Sequence, residues 1–501
     1  MLRNQLPQVN NRAMAKLEQL MFDNTYARLP DTFYERIAPT PFERPHLVHF
    51  NPEGAALIEL DVDEAKRPEF VEYWCGKRCL PGSDPIAMLY AGHQFGIYVP
   101  QLGDGRAILL GEVRTSRGEK WDLHLKGAGL TRFSRDGDGR AVLRSTIREY
   151  LCGEALHGLG IPTTRSLCII GSDEPVIRET VETGAMLVRL APSHVRFGTF
   201  EVFYYRRQYE HLRLLADYVI THHFPHLARD PDRYVCLLYE VAERTGRLIA
   251  KWQAVGWAHG VMNTDNMSIL GLTLDYGPFG FMDAFQPSFI PNHSDHHGRY
   301  AFQNQPDIGY WNIRAIAQAL SPLMNPAEAH QAPEVYETAF SSHYAELMQA
   351  KLGLREVHEG DERLRRDLLA ILHSNKVDYT LFFRALADFR QDDPQANEPL
   401  RAMFSDKSAF DWWAERYRAR LKAERSVDTE RKIGMHQCNP KYVLRTYLAH
   451  QAIQRARVQD YSELDRLLQL LRHPFDEQPE MDAYAAPPPE WAQHLVVSCS
   501  S

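Results

Sequence analysis

A chain of 501 residues with a formal net charge of −8 lacks the basic excess that a nucleic-acid binder carries on at least one domain. With 44% hydrophobic and 24% charged residues, a mean hydropathy of −0.41 and no apolar run near the length of a spanning helix, it has the composition of a soluble globular protein and not of a membrane one. Seven cysteines are too sparse, and odd in number, for a disulfide framework, so the expected compartment is reducing, the cytoplasm. The opening MLRNQLPQVNNRAMAKLEQLMFDN has no positive segment followed by a continuous apolar core, and no secretory signal is expected. Cys75 and Cys79 have no second Cys or His pair nearby and read as ordinary thiols.

The length allows two or three core-bearing units, or one bilobal enzyme with an appended helical region. Residues 1–84, punctuated by prolines and aromatics between 21 and 60, read as a segment wrapping over a surface. Residues 85–200 form the first candidate lobe. There AILLGEV and WDLHLK are predicted strands joined by RTSRGEK; the turn Gly103-Asp104-Gly105-Arg106 precedes the first and Lys126 ends the second. AVLRSTIREYLCGEALHGLG follows with Leu143, Ile147 and Leu151 at helical spacing, Glu149 on the same helix and Gly158 and Gly160 closing it. TTRSLCII and AMLVRLAPSHVRFG are further strands leading into a connection flanked by Arg189 and Arg196. A glycine turn, a hairpin, a strand-borne lysine and a helix-borne glutamate come in the order in which a kinase small lobe is assembled, and a lysine held by a glutamate can grip phosphate oxygens.

Residues 201–330 form the second candidate lobe, in which two periodic helices, EHLRLLADYVITHHF and YVCLLYEVAERTGRLIAKWQAVGWAHG, deliver the stretch 255–283. Two polar clusters, His259 to Asn266 and Asp275 to Gly277, flank a short apolar run turning at Gly271, which predicts a tight hairpin aiming both at one point. Asn266 and Asp275 suit the two oxygen ligands that hold Mg²⁺ against nucleotide phosphates. Val261 stands where a small-molecule kinase carries its base, and the carboxylate available in the loop is Asp265. Residues 331–501 are expected to be a mostly helical extension and tail, with helices at RLRRDLLAILHS, LFFRALADF, KSAFDWWAERYRARLKAE, YLAHQAIQRARV and YSELDRLLQLLR.

Three other groupings stand out in the sequence. Asp136-Gly-Asp138-Gly139 resembles the start of a calcium loop, but Arg140 and Ile147 stand where that loop needs ligands; with Arg132, Arg135, Arg140 and Arg144 around it, the segment suits a nucleotide polyphosphate better. His293, Asp295, His296 and His297 lack any regular metal-ligand spacing and read as structural. Trp412 and Trp413 sit at helical positions and are expected to pack.

FDNTYARLP, YAGHQFG, PQLGDGRA, LHLKGAG, RDGDGRA, VLRSTIREYL, VRLAPSHVRFGTFE, HGVMNTDNMS, LDYGPFGFMD, NHSDHHGRYAFQNQP and NPKYVLR together resemble the selenoprotein O family of protein adenylyltransferases, pseudokinases that attach AMP to protein hydroxyls. The resemblance covers nearly the whole chain. It implies an α+β, protein-kinase-like bilobal fold with a mostly helical C-terminal region, in which ATP lies reversed so that its α-phosphate faces the acceptor. Carried over by position, Gly103, Gly105 and Arg106 match the nucleotide-contacting turn, Lys126 the phosphate lysine and Glu149 its partner. Asp138, Gly139, Arg189 and Arg196 match contacts to the reversed nucleotide, Asp265 the proton acceptor, and Asn266 and Asp275 the metal ligands, Asp275 also touching nucleotide. The resemblance further implies ATP as substrate, Mg²⁺ as the metal with Mn²⁺ as its alternative, and protein substrates bearing Ser, Thr or Tyr; charge and composition predict no nucleic-acid or membrane partner, and a monomer is expected. True kinase activity, a nucleotide sensor and UMP transfer with Mn²⁺ stand as the other readings. Some family members form a regulatory disulfide between a tail cysteine and one near the active-site loop; here Cys499 keeps the tail thiol, but IPNHSD has Pro291 and no cysteine.

Overall fold

The computed structural model describes residues 14–495; the first thirteen residues of the wrapping segment and Cys499 lie outside the described residues. The architecture is mixed α+β. Ten strands serve the first half: β1 (Tyr34–Arg36), β2 (Pro45–Phe50), β3 (Ile86–Met88), β4 (Gly92–Gln94), β5 (Ile97–Val99), β6 (Ala107–Arg114), β7 (Lys120–Lys126), β8 (Ala141–Val142), β9 (Arg165–Ile177) and β10 (Val181–Ala191). Eight of them form one sheet in the order β1-β3-β6-β7-β10-β9-β2, with β8 on β10, while β4 and β5 pair separately as a hairpin. The predicted strands are all present. Residues 14–84 do more than wrap, because β1 and β2 lie at the two ends of this sheet's strand order.

The central strands read as almost unbroken apolar runs because both faces of the sheet are covered. Alternate residues enter different cores. Ile170, Met186 and Val188 pack with Phe70 and Trp74 of α2 (Pro68–Trp74), which follows α1 (Pro52–Leu57), whereas their neighbours Ile169 and Leu187 pack with α3 (Leu143–Gly158) in the main core. That core continues through α4 (Phe197–Tyr205), α5 (Tyr209–His223), α6 (Arg233–Val255) and α7 (Gln305–Leu320).

After the short α8 (Pro326–Ala329) comes α9 (Ala332–Lys351), a long helix that the apolar pattern does not announce. Its contact with α6 runs through small residues: a Cβ on Gly246 of α6 would sit 2.7 Å from the Tyr336 carbonyl oxygen. Close backbone approach replaces the broad apolar stripe on which periodicity depends. The five predicted C-terminal helices are present. Helices Thr446–Ala456 and Ser462–Arg472 back α3, where the His49 ring ties β2 to Tyr150 of α3 at 2.7 Å and to Asp465 at 2.7 Å. Trp413 is fully buried as expected, but Trp412 is half exposed.

The predicted hairpin at 267–274 is corrected. Gly271 does turn the chain, with φ +70°, but the two arms do not pair with each other: Ser268 bridges to Arg196 and Thr273 to Thr163. The neck is closed instead by β11 (Trp257–Ala258) against β12 (Gly280–Phe281), so the polar clusters are brought together from outside the turn.

Candidate active site

Between the sheet and the neck-closed loop lies a cleft of about 700 Å³. On the sheet side, Lys126 ends β7 opposite Leu187 of β10, and Arg189, two residues along β10, shares that face. Both reach the same carboxylate on α3. Lys126 Nζ is 2.5 Å from Glu149 Oε2, Arg189 Nη2 donates to that oxygen at 3.1 Å, and Arg189 Nε donates to Oε1. Arg189 then extends to Asp275 Oδ1 at 3.0 Å, and Arg196 holds Asp275 Oδ2 from the other side while donating to the Asp265 carbonyl oxygen at 2.9 Å. Three cations thus interlock with two carboxylates. The Arg106 guanidinium, which lines the cleft, makes no hydrogen bond or ion pair among the described residues. The surplus of positive charge suits a polyphosphate.

Burial pulls the Lys126 ammonium down to about 8 against the opposing pull of Glu149. Burial alone would raise Glu149, but Arg189 and Lys126 hold it below the ordinary carboxylate range. Asp275 is likewise raised by burial, and Arg196 and then Arg189 override this, keeping it fully ionised. Its φ of +56° is a left-handed conformation that aspartate adopts more readily than most residues.

Asp265 has the opposite surroundings. It lies on a short 3₁₀ turn, Thr264–Asn266, and its side chain is buried. Gln94 Nε2 donates to Oδ2 at 3.1 Å, while Oδ1 has no hydrogen-bond partner. Burial pushes its carboxyl up to about 7, the Gln94 hydrogen bond and Arg196 opposing this only in part. Next to it, Asn266 Nδ2 donates to the Val261 carbonyl oxygen at 3.0 Å, which leaves Oδ1 as the free atom of that amide.

Two glycine turns roof the cleft. Gly103 has φ +99°, and a Cβ there would stand 2.6 Å from the Phe133 ring; the Asp104 carboxylate between the glycines accepts from Met88 N–H and the His124 ring, each at 3.1 Å. The Asp136–Gly139 loop lies beside this turn, Gly139 at φ +71° meeting the backbone of Gly129 too closely for any side chain. Asp138 does not stand free, since Arg178 on the β9–β10 hairpin pairs with it at 2.7 Å.

Gly103, Gly105, Arg106, Lys126, Asp138, Gly139, Arg189, Asp265, Asn266 and Asp275 therefore all line one cleft, with Val261 among them. Glu149 and Arg196 stand behind its wall as partners of Lys126 and Asp275. In the His293–His297 segment Asp295 accepts the N–H groups of Arg299 and Tyr300; among the described residues no group of three or more His, Cys, Asp or Glu side chains is placed to hold a metal. Sequence reasoning missed Arg178 and Gln94. A polar residue directly before the Phe95-Gly96 turn was the available signal for Gln94, since the last strand position before a two-residue turn is fixed in direction.

The cleft thus gathers cations that can meet phosphate oxygens, one carboxylate held ionised by arginines and a second, Asp265, without a cation partner. Comparison with known proteins narrows the class. The family model described as Protein adenylyltransferase SelO matches residues 16–472, and the chain belongs to that family. It is 61% identical over 488 residues to a protein nucleotidyltransferase YdiU of Myxococcus xanthus, and 58% identical over 491 residues to the one of Thiobacillus denitrificans, in each case over 97% of this chain and 100% of the relative. A protein nucleotidyltransferase YdiU of Thioalkalivibrio sulfidiphilus is also 58% identical, over 494 residues.

Proposed function

We propose that this protein transfers AMP from ATP to Ser, Thr or Tyr hydroxyls of other proteins, on a protein-kinase-like bilobal frame that binds ATP reversed. The supporting observation is the division of labour among the cleft carboxylates. Asp104 is paired with His124 and Asp275 with two arginines, whereas Asp265 is in no salt bridge and keeps one oxygen bare. Val261 lines the same cleft at the place where a kinase base would stand.

In this reading the Asp265 carboxylate takes the proton of the acceptor hydroxyl as the hydroxyl oxygen bonds to the α-phosphorus, and the bond to pyrophosphate breaks. Lys126, held by Glu149, and Arg189 bind the phosphate chain, the free Arg106 guanidinium adds further donors, and the Gly103–Gly105 turn lets backbone approach it. A divalent ion at Asn266 and Asp275 would take the Asn266 amide oxygen, whose nitrogen is committed to Val261, and share the ionised Asp275 oxygens with Arg189 and Arg196. When bound, such an ion neutralises charge on the phosphates. Mg²⁺ is the proposed metal, and Mn²⁺ the alternative. Among the described residues no helix is long and apolar enough to cross a membrane. We place the protein in the cytoplasm as a monomer.

The test is incubation of the purified protein with Mg²⁺ and ATP labelled at the α- or the γ-phosphate, with intact mass read in parallel. AMP transfer puts only the α-label on protein; label from the γ-position would make it a kinase. Side-by-side α-labelled ATP and UTP, with Mg²⁺ and with Mn²⁺, separates AMP from UMP transfer.

A further inference from the structure

Among the described residues the hairpin β4–β5 pairs with no other strand, yet it is fastened to the loop that carries Asp265 at successive residues. His93 N–H donates to Thr264 Oγ1 at 2.7 Å, and Phe95 N–H to Asn263 Oδ1 at 3.2 Å and the Tyr300 hydroxyl at 3.0 Å. Thr264 is held in turn by Glu201, whose other oxygen is 2.5 Å from His93 Nδ1. The turn is fixed as well, with Phe95 at φ +51° and Gly96 at φ +82°, the left-handed pair that a tight two-residue hairpin needs. Alternation along β4 then decides what faces the loop: His93 points to Glu201, while Gly92 and Gln94 share the side of Asp265. A Cβ on Gly92 would stand 2.6 Å from Asp265 Oδ1, so the strand lies directly on the carboxylate.

We propose that Gln94 is a positioning residue for the transfer reaction: its amide, set by the hairpin, grips Asp265 Oδ2 and, with Oδ1 packed against Gly92, fixes the orientation in which the carboxylate meets the acceptor hydroxyl. An aspartate has one rotatable bond that swings its two oxygens, and with both oxygens buried no water shell fixes it. Among the described residues Gln94 supplies the one side-chain hydrogen bond that does. The role rests on Asp265 being the proton acceptor, and it predicts an effect on turnover and little on ATP binding: Gln94 lines the same cleft, but its amide bonds Asp265 and, among the described residues, neither Lys126 nor Arg189.

The test compares Gln94→Met, which keeps length without a donor, Gln94→Glu, which keeps shape but places an acceptor against Asp265, and Asp265→Asn. Self-modification by α-labelled ATP with Mg²⁺ is measured over a range of ATP concentrations, with the Tm of each variant. Expected are near-wild-type Tm, a KM for ATP within about twofold, and a fall in maximal rate of about a hundredfold in both Gln94 variants, the scale of a reacting group displaced by about 1 Å. A maximal rate unchanged in Gln94→Met and Gln94→Glu while Asp265→Asn is inactive overturns the role of Gln94 alone. Full activity in Asp265→Asn overturns the proton-acceptor reading beneath it.

Discussion

Asp265 and Asp275 lie ten residues apart on one chain segment and line one cleft, yet their surroundings are opposite. Asp275 sits between Arg189 and Arg196 and stays ionised under all ordinary conditions; Asp265 has one neutral amide on one oxygen, nothing on the other, and a carboxyl raised to about 7. The difference comes from which element each faces. Asp275 looks into the sheet, where β10 and the segment after it present arginines, whereas Asp265 looks at a hairpin whose nearest residues are a glycine and a glutamine. Identical side chains are thereby separated into a permanent anion suited to a metal and a carboxylate suited to exchange a proton.

The largest effect expected from breaking this contrast is on transfer in Asp265→Asn, a loss of ~10²–10⁴-fold, the usual range for a general base. The same variant keeps the Gln94 contact and removes a buried carboxylate that lacks a cation, so it holds or gains stability. The sign follows from the raised carboxyl: the unfolded chain ionises in the ordinary carboxylate range and the folded one only near 7, so wild-type stability falls as pH rises across that interval. Differential scanning at pH 4 and pH 8 should show Asp265→Asn ahead of wild type only at the higher pH. Asp275→Asn should behave in the opposite way, losing activity and also ~3–5 kcal/mol of stability by denaturant unfolding, because Arg196 is left buried without its partner.

A middle-sized effect is the pH profile. kcat/KM should rise through about pH 7 as Asp265 ionises and fall above about pH 8 as Lys126 loses its charge, giving a narrow bell whose acid limb alone disappears in Asp265→Asn. The smallest effect is expected for Arg178→Ala. Its partner Asp138 is about half exposed, and such pairs are worth ~0–1 kcal/mol, so the KM for ATP should rise no more than about fivefold with kcat unchanged.

Most of the elements were legible in the sequence because each had a local signature: β6 and β7 as apolar runs around a charged turn, α3 by its period, the cleft glycines by their turns. Lys126, Glu149, Asn266 and Asp275 were legible by order along the chain, and the fold converges them as that order implied. What was hidden lies in relations between distant segments. Helix α9 packs on α6 through backbone proximity, which leaves little apolar periodicity, and the arms of the Gly271 turn are held by Thr163 and Arg196 and not by one another. Gln94 and Arg178 acquire meaning only from Asp265 and Asp138, 171 and 40 residues away. Val261 gave notice that a base was missing, but the bare oxygen of Asp265 is a fact of packing.

The central claim is that Asp265, and not a residue at the Val261 position, takes the acceptor proton in transfer of AMP. Intact-mass measurement of wild type and Asp265→Asn, each incubated with ATP and Mg²⁺ under conditions where both bind a fluorescent ATP analogue equally, tests it directly. The account predicts an added AMP on wild type and, over the same time, an Asp265→Asn modified at least ~10²-fold more slowly. AMP accumulating on Asp265→Asn at the wild-type rate, or phosphate in place of AMP on wild type, would contradict it.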